Sequence, residues 1–152
     1  MTEGEGVSVG PHSGVFRRVL VGFDGSREAR HAVRVARSLA ADISGEVHVI
    51  AVVTPRAHAE TSEEILASLE EERGELAETL GAEQPVDSRD RPPILHVVYD
   101  DNPAEAMARF AAEHGFDLLV VGTHGQDQLM HRGVGRALEA LIRSHPCPLL
   151  VV

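Results

Sequence analysis

The sequence predicts an α/β protein built on a parallel sheet with helices on both faces. Three observations carry this. Five short apolar stretches alternate with four stretches of helical period, in the order βαβαβαβαβ. Such alternation closes into a sheet whose crossovers are helices, and those crossovers are right-handed. The strand stretches are nearly continuously apolar, as strands covered on both faces are. Residues that favour turns and caps fall at the joins.

Residues 1–14 are polar and glycine-rich and read as a disordered tail, leaving 15–152 as one domain. The first strand is expected over 16–23, and Asp24-Gly25-Ser26 makes the turn with Ser26 as N-cap. Helix one then runs to about residue 41. Ala29, Ala32, Val33, Ala36, Leu39 and Ala40 form its apolar face, and Arg30, Arg34 and Arg37 its solvated face. Strand two covers 46–53 and ends at Thr54-Pro55. Helix two covers 61–80, with Ile65, Leu66, Leu69, Leu76 and Leu80 inward. Its glutamates, from Glu63 to Glu78, read as a solvated acidic face.

A polar loop over 81–93 leads to strand three at 94–99. Asn102 caps helix three, Pro103 takes its first position, and Ala106, Met107, Phe110 and Ala111 face inward. Gly115 ends that helix as the residue after the cap. Strand four is 118–121, helix four 134–144, and strand five 149–152 after Pro146.

Composition narrows the function. The chain has 152 residues, enough for one domain with a real core. Twenty-four acidic against 14 basic residues give a formal charge of −10, unlike a nucleic-acid binder or a protein that docks on anionic membranes. Every basic residue is an arginine. Without lysine, neither a Walker-type phosphate loop nor Schiff-base catalysis is available. One cysteine, Cys147, cannot form an internal disulfide, and neither a membrane span nor a signal peptide is recognisable. The cytoplasm is the expected compartment.

The stretch with most chemistry is Asp117-Leu-Leu-Val-Val-Gly122-Thr123-His124-Gly125, followed by Gly133-Val134-Gly135-Arg136. A strand running into glycines and then a helix presents bare N–H groups to an anion. The same glycines also suit a plain strand-to-helix connection, and local physics leaves both readings open.

Four motifs together resemble the universal stress protein family. They are Gly122-x-x-Gly125 with nine residues to Gly135, the start Val19-Leu20-Val21-Gly22-Phe23-Asp24-Gly25-Ser26, the middle Asn102-Pro103-Ala104-Glu105-Ala106, and the end from His145 to Val152. The resemblance implies a Rossmann-like fold of the adenine nucleotide alpha hydrolase type, with strand order 3-2-1-4-5. It places a crevice between strands one and four, at the switch point where such sheets bind ligands. It also implies a stress-response module that takes ATP, with Mg, or another adenine nucleotide.

By that resemblance the site residues are Gly22, Phe23, Asp24, Val52, Gly122, His124, Gly125, Gly135, Arg136 and Ala137. The loop of Asp24 would contact adenosine, and the main chain near Val52 would read the adenine edge. One position departs. Nucleotide-binding members carry Ser or Thr after the last glycine, whereas Arg136, Ala137 and Leu138 here have no hydroxyl. Arg136 either pairs with phosphate through its guanidinium or fills the phosphate space. The second case leaves an interaction module without nucleotide. The resemblance further implies a homodimer through the edge strand over 148–152.

Other chemistries find little support. His124 and His131 lack a nucleophile at recognisable spacing, so no catalytic residue is assigned and at most slow ATP hydrolysis is expected. Nine histidines show no metal-ligand spacing. A phosphoacceptor receiver domain would need a lysine after strand five and a fifth helix. A flavin would find only four phenylalanines and one tyrosine.

Overall fold

The structure, a computed structural model, describes residues 16–54, 61–123, 136–144 and 146–152. Its elements are β1 (Arg18–Gly22), α1 (Arg27–Ala41), β2 (Glu46–Val53), α2 (Ser62–Gly81), β3 (Ile94–Tyr99), α3 (Pro103–Glu113), β4 (Leu118–Val121), α4 (Arg136–Ser144) and β5 (Leu149–Val151). The five strands form one parallel sheet in the order β3-β2-β1-β4-β5, as the family resemblance implied. The expected tail over 1–14 lies outside the described residues. No helix among the described residues is long and apolar enough to cross a membrane.

Two apolar layers sandwich the sheet. Val19, Val21, Val47, Val49 and Val120 pack against Ala32, Val33 and Ala36 of α1 and Leu76 and Leu80 of α2. Leu20, Ile50, Leu119 and Val121 pack on the other face against Ala104, Met107 and Ala111 of α3 and Leu138 and Leu141 of α4. Successive strand residues therefore serve opposite layers, and both layers exclude water.

The caps explain where the helices begin. Ser26 Oγ accepts from Ala29 N–H at 3.1 Å. Thr61 and Glu64 exchange side-chain-to-backbone bonds in a capping box. Asn102 Oδ1 accepts from Glu105 N–H at 3.2 Å, with Pro103 at the first helical position. At the other end of the sheet, Asp117 Oδ2 accepts from the N–H groups of Arg17 and Arg18 at 2.8 and 2.9 Å and anchors the start of β1.

Three expectations are corrected. The first strand is shorter than 16–23, because Asp24 turns the chain into α1 and pairing with β4 begins only at Val19. Leu66 and Leu39, expected inward, are 62 % and 41 % exposed; α2 buries only its C-terminal half, at Leu76 and Leu80. Arg37, expected on the solvated face, is 3 % exposed. Positions 33, 36, 37 and 40 share one helical face, so the spacing places Arg37 beside the core. Its Nε lies 2.8 Å from Asp90 Oδ2, and both side chains are almost fully buried. The Nε–H does not point along that line, so the contact is one of charge. The same carboxylate oxygen accepts from Val86 N–H at 2.7 Å, so Asp90 ties down its own loop as well.

A second polar cluster lies under α3. His48 Nδ1 is 2.8 Å from His96 Nε2, so one imidazole donates to the other across β2 and β3. Phe116 packs edge-on to His48 at 5.0 Å, and Phe110 covers His96 at 4.9 Å. Arg18 lies over the Phe116 ring at 4.8 Å.

Candidate functional site

The sheet splits at β1. Leaving β1, the chain builds β2 and β3 on one side, then crosses to build β4 and β5 on the other. The helices after β1 and β4 depart on opposite faces and leave a crevice at the strand ends. It encloses about 950 Å³. Among the described residues Gly22, Phe23, Asp24, Val52, Gly122, Arg136 and Ala137 all line it. These are seven of the sequence-predicted site residues. His124, Gly125 and Gly135 lie outside the described residues, as does His131.

Strand alternation decides which peptide groups face the crevice. Phe23 N–H donates to Ile50 O at 2.9 Å, so Ile50 turns its main chain toward β1. Asp100 N–H donates to Val53 O at 3.1 Å, so Val53 turns toward β3. Val52 therefore faces the β1 side, as Ile50 does, but one step beyond the last β1 pairing at Gly22. The same holds across β1. Thr123 N–H donates to Val152 O, and Val152 N–H to Val121 O, so residues 121 and 123 face β5. Gly122, between them, turns its main chain to the β1 side and into the crevice. Two main-chain segments thus look at each other across the end of a strand that has already turned away.

The turn itself is tightly held. Asp24 Oδ1 accepts from Ser26 N–H at 2.9 Å, and Gly25 adopts φ +80°, a conformation that glycine takes without strain. Phe23 contributes little beyond its main chain, since its ring is 4 % exposed and belongs to the core beneath. Gly122 is required by closeness. A Cβ there would stand 2.9 Å from Glu28 Cβ and 3.2 Å from the Glu28 carbonyl carbon in the first turn of α1.

Just ahead of α3, Asp100 accepts from Asn102 N–H at 2.9 Å and from the Arg109 guanidinium at 2.7 Å. These bonds hold the Asp100 carboxyl below the usual carboxylate range, the Asn102 backbone first and Arg109 second. They fix the corner on which Asp101 and Asn102 reach the crevice.

Sequence reasoning missed several lining residues. Thr54, Thr123 and Met107 border the crevice, and so do Glu71, Glu72 and Glu75 of α2. The glutamates gave no usable signal, because an acidic helix face looks the same whether it meets water or a crevice mouth. Asn102 was visible as a cap; its place at the crevice follows only from the strand order. Burial, then Asp117, pushes the Cys147 thiol up and away from the nucleophilic thiolate. No group of three or more metal-ligating side chains occurs among the described residues.

A parallel five-stranded sheet in this order, opened at its switch point, is a Rossmann-like α/β domain. Its family follows from sequence. The profile of the Universal stress protein family matches residues 16–152, and the chain belongs to that family. A universal stress protein of Methanocaldococcus jannaschii is 28 % identical over 150 residues, covering 91 % of this chain and 82 % of that one. The solved universal stress protein UspA from Lactobacillus plantarum has the same fold at a TM-score of 0.76 and 20 % identity, covering 90 % of this chain and 97 % of that one. A further universal stress protein, solved in complex with cAMP, shares the fold at a TM-score of 0.58 and 23 % identity, covering 90 % of this chain and 96 % of that one.

Proposed function

We propose that this protein is a stress-response regulatory module that binds an adenine nucleotide in the crevice between β1 and β4. The observation that carries the reading is the pair of main-chain segments at Val52 and Gly122, both turned into the crevice beyond the end of β1. A strand residue offers an N–H and a C=O side by side, which complements the donor and acceptor on the edge of adenine. Gly122 leaves backbone accessible where a phosphate approaches, and Arg136 at the start of α4 supplies a guanidinium. The crevice volume falls in the range of small-molecule sites. One fold relative was solved with cAMP, which is support by analogy of fold. The module works as a homodimer paired through residues 148–152, and any turnover of bound ATP is slow.

The test is thermal unfolding with AMP and with Mg-ATP, beside the variant Arg136→Ser. A ligand at 100 times its Kd adds roughly 2.7 kcal/mol, or about 5–10 °C in midpoint for a domain of this size. A rise in the wild type supports the nucleotide reading with Arg136 as a tolerated or active phosphate contact. A rise only in the serine variant means that Arg136 closes the crevice. No rise in either protein with either nucleotide overturns the reading and leaves a dimeric interaction module.

A further inference from the structure

The charge around the crevice is lopsided. Among the described residues Asp24, Glu71, Glu72, Glu75 and Asp101 line it with carboxylates, and Arg136 is the single cation among the lining residues. The chain as a whole carries −10, so its wider field has the same sign as the crevice.

We infer that the crevice selects nucleotides by charge and takes a nucleoside monophosphate in preference to a free triphosphate. The inference rests on the nucleotide reading above. A monophosphate brings about two negative charges at pH 7, and each further phosphate adds about one more. Two unit charges about 10 Å apart in water change an equilibrium constant by a factor of about two before screening. ATP adds about two charges over AMP, and each meets a net surplus of four carboxylates, five less the one arginine. The product exceeds about tenfold even when salt screens much of it. The carboxylates come from three places: Asp24 after β1, the glutamates of α2, and Asp101 before α3. No single side-chain movement withdraws them all. Magnesium changes the arithmetic, because Mg-ATP carries about the charge of AMP.

Isothermal titration of the full chain with AMP, with ATP in EDTA and with Mg-ATP, at about 20 mM salt, tests this. The expected result is free ATP at least about tenfold weaker than AMP, with Mg²⁺ closing most of the gap. Raising the salt to about 500 mM should shrink the AMP-over-ATP ratio in the wild type, because the Debye length then falls well below the crevice width. The triple variant Glu71→Gln, Glu72→Gln, Glu75→Gln should shrink it at low salt. The salt series needs no mutant, so it decides the matter even if the triple variant folds poorly. Free ATP binding as tightly as AMP at low salt overturns the charge selection while leaving the nucleotide reading intact. Binding of neither AMP nor ATP overturns both.

Discussion

At the scale of single residues, Gly122 is the position with least room. Its missing side chain lets the end of β4 sit against the first turn of α1, where the nearest atoms include the Glu28 backbone. Backbone does not swing aside as a side chain does. Gly122→Ala should therefore destabilise the protein by about 1–3 kcal/mol, measured by urea unfolding. Gly22 offers a built-in comparison. A Cβ there meets Met107 Sδ at 2.8 Å, but a thioether has three rotatable bonds and can yield. Gly22→Ala should cost less than Gly122→Ala, and the reverse order would show that Met107 is locked. Legibility also differs from residue to residue. Asp24, Ser26, Asn102 and Gly122 were readable because turn and cap chemistry is local. Arg37 was not. Its burial depends on Asp90, 53 positions away in a loop that no periodicity describes.

Among the elements, the pairing of β2 with β3 carries a titratable contact. His48, 8 % exposed, and His96 meet at 2.8 Å. Glu46 lies 3.4 Å from the far nitrogen of His48, and Arg18 approaches Glu46 at 3.7 Å. His114, at the end of α3, stacks on Phe110, which covers His96. Burial first, then His48, His114 and Arg73, hold the His96 imidazolium below the usual histidine range. The folded protein thus binds fewer protons at His96 than the unfolded chain. Its contribution is complete above about pH 6.5 and is lost as the pH falls below that value. The thermal midpoint should drop between about pH 7.5 and pH 5, and His96→Gln, which never titrates, should flatten that drop. A wild-type midpoint with no slope in this window would contradict the assignment. Asp87, held below the usual carboxylate range by the Arg89 side chain and then its backbone N–H, and Asp100, held there by the Asn102 backbone and then Arg109, lose their contributions only under more acid conditions.

Over the whole molecule, both the architecture and its limits were legible. Near-continuous apolar strands fixed the parallel sheet, and the four motifs supplied its strand order. The orientation of α2 was out of reach. Ile65, Leu66 and Leu69 carry the helical apolar spacing, yet Leu66 projects into solvent and only Leu76 and Leu80 enter the core. Spacing reports which residues share a face; it does not report how far along the sheet that face stays in contact. The same geometry brings the acidic side of α2 to the crevice. One edge of the described sheet is β5. Among the described residues β5 pairs with β4 alone, and Val151 and Ile142 are 38 % and 52 % exposed. A dimer by sedimentation at micromolar concentration is expected for the wild type, and a folded monomer for Val151→Lys, since a charge on an edge strand opposes pairing. A monomeric wild type would remove the homodimer.

The strand order has a consequence for how the chain is made. β1 leaves the ribosome before the other four strands yet ends in the middle of the sheet, between β2 and β4. Its pairing of Val19 with Leu118 waits for about 100 further residues, or about 5–20 s of synthesis. Throughout that interval one side of a strand whose centre, Val19-Leu20-Val21, is wholly apolar has no neighbour to bond to. The nascent chain is then more prone to aggregation than the finished protein, so helpers that shield nascent chains matter most for this molecule before its C-terminal third has been translated.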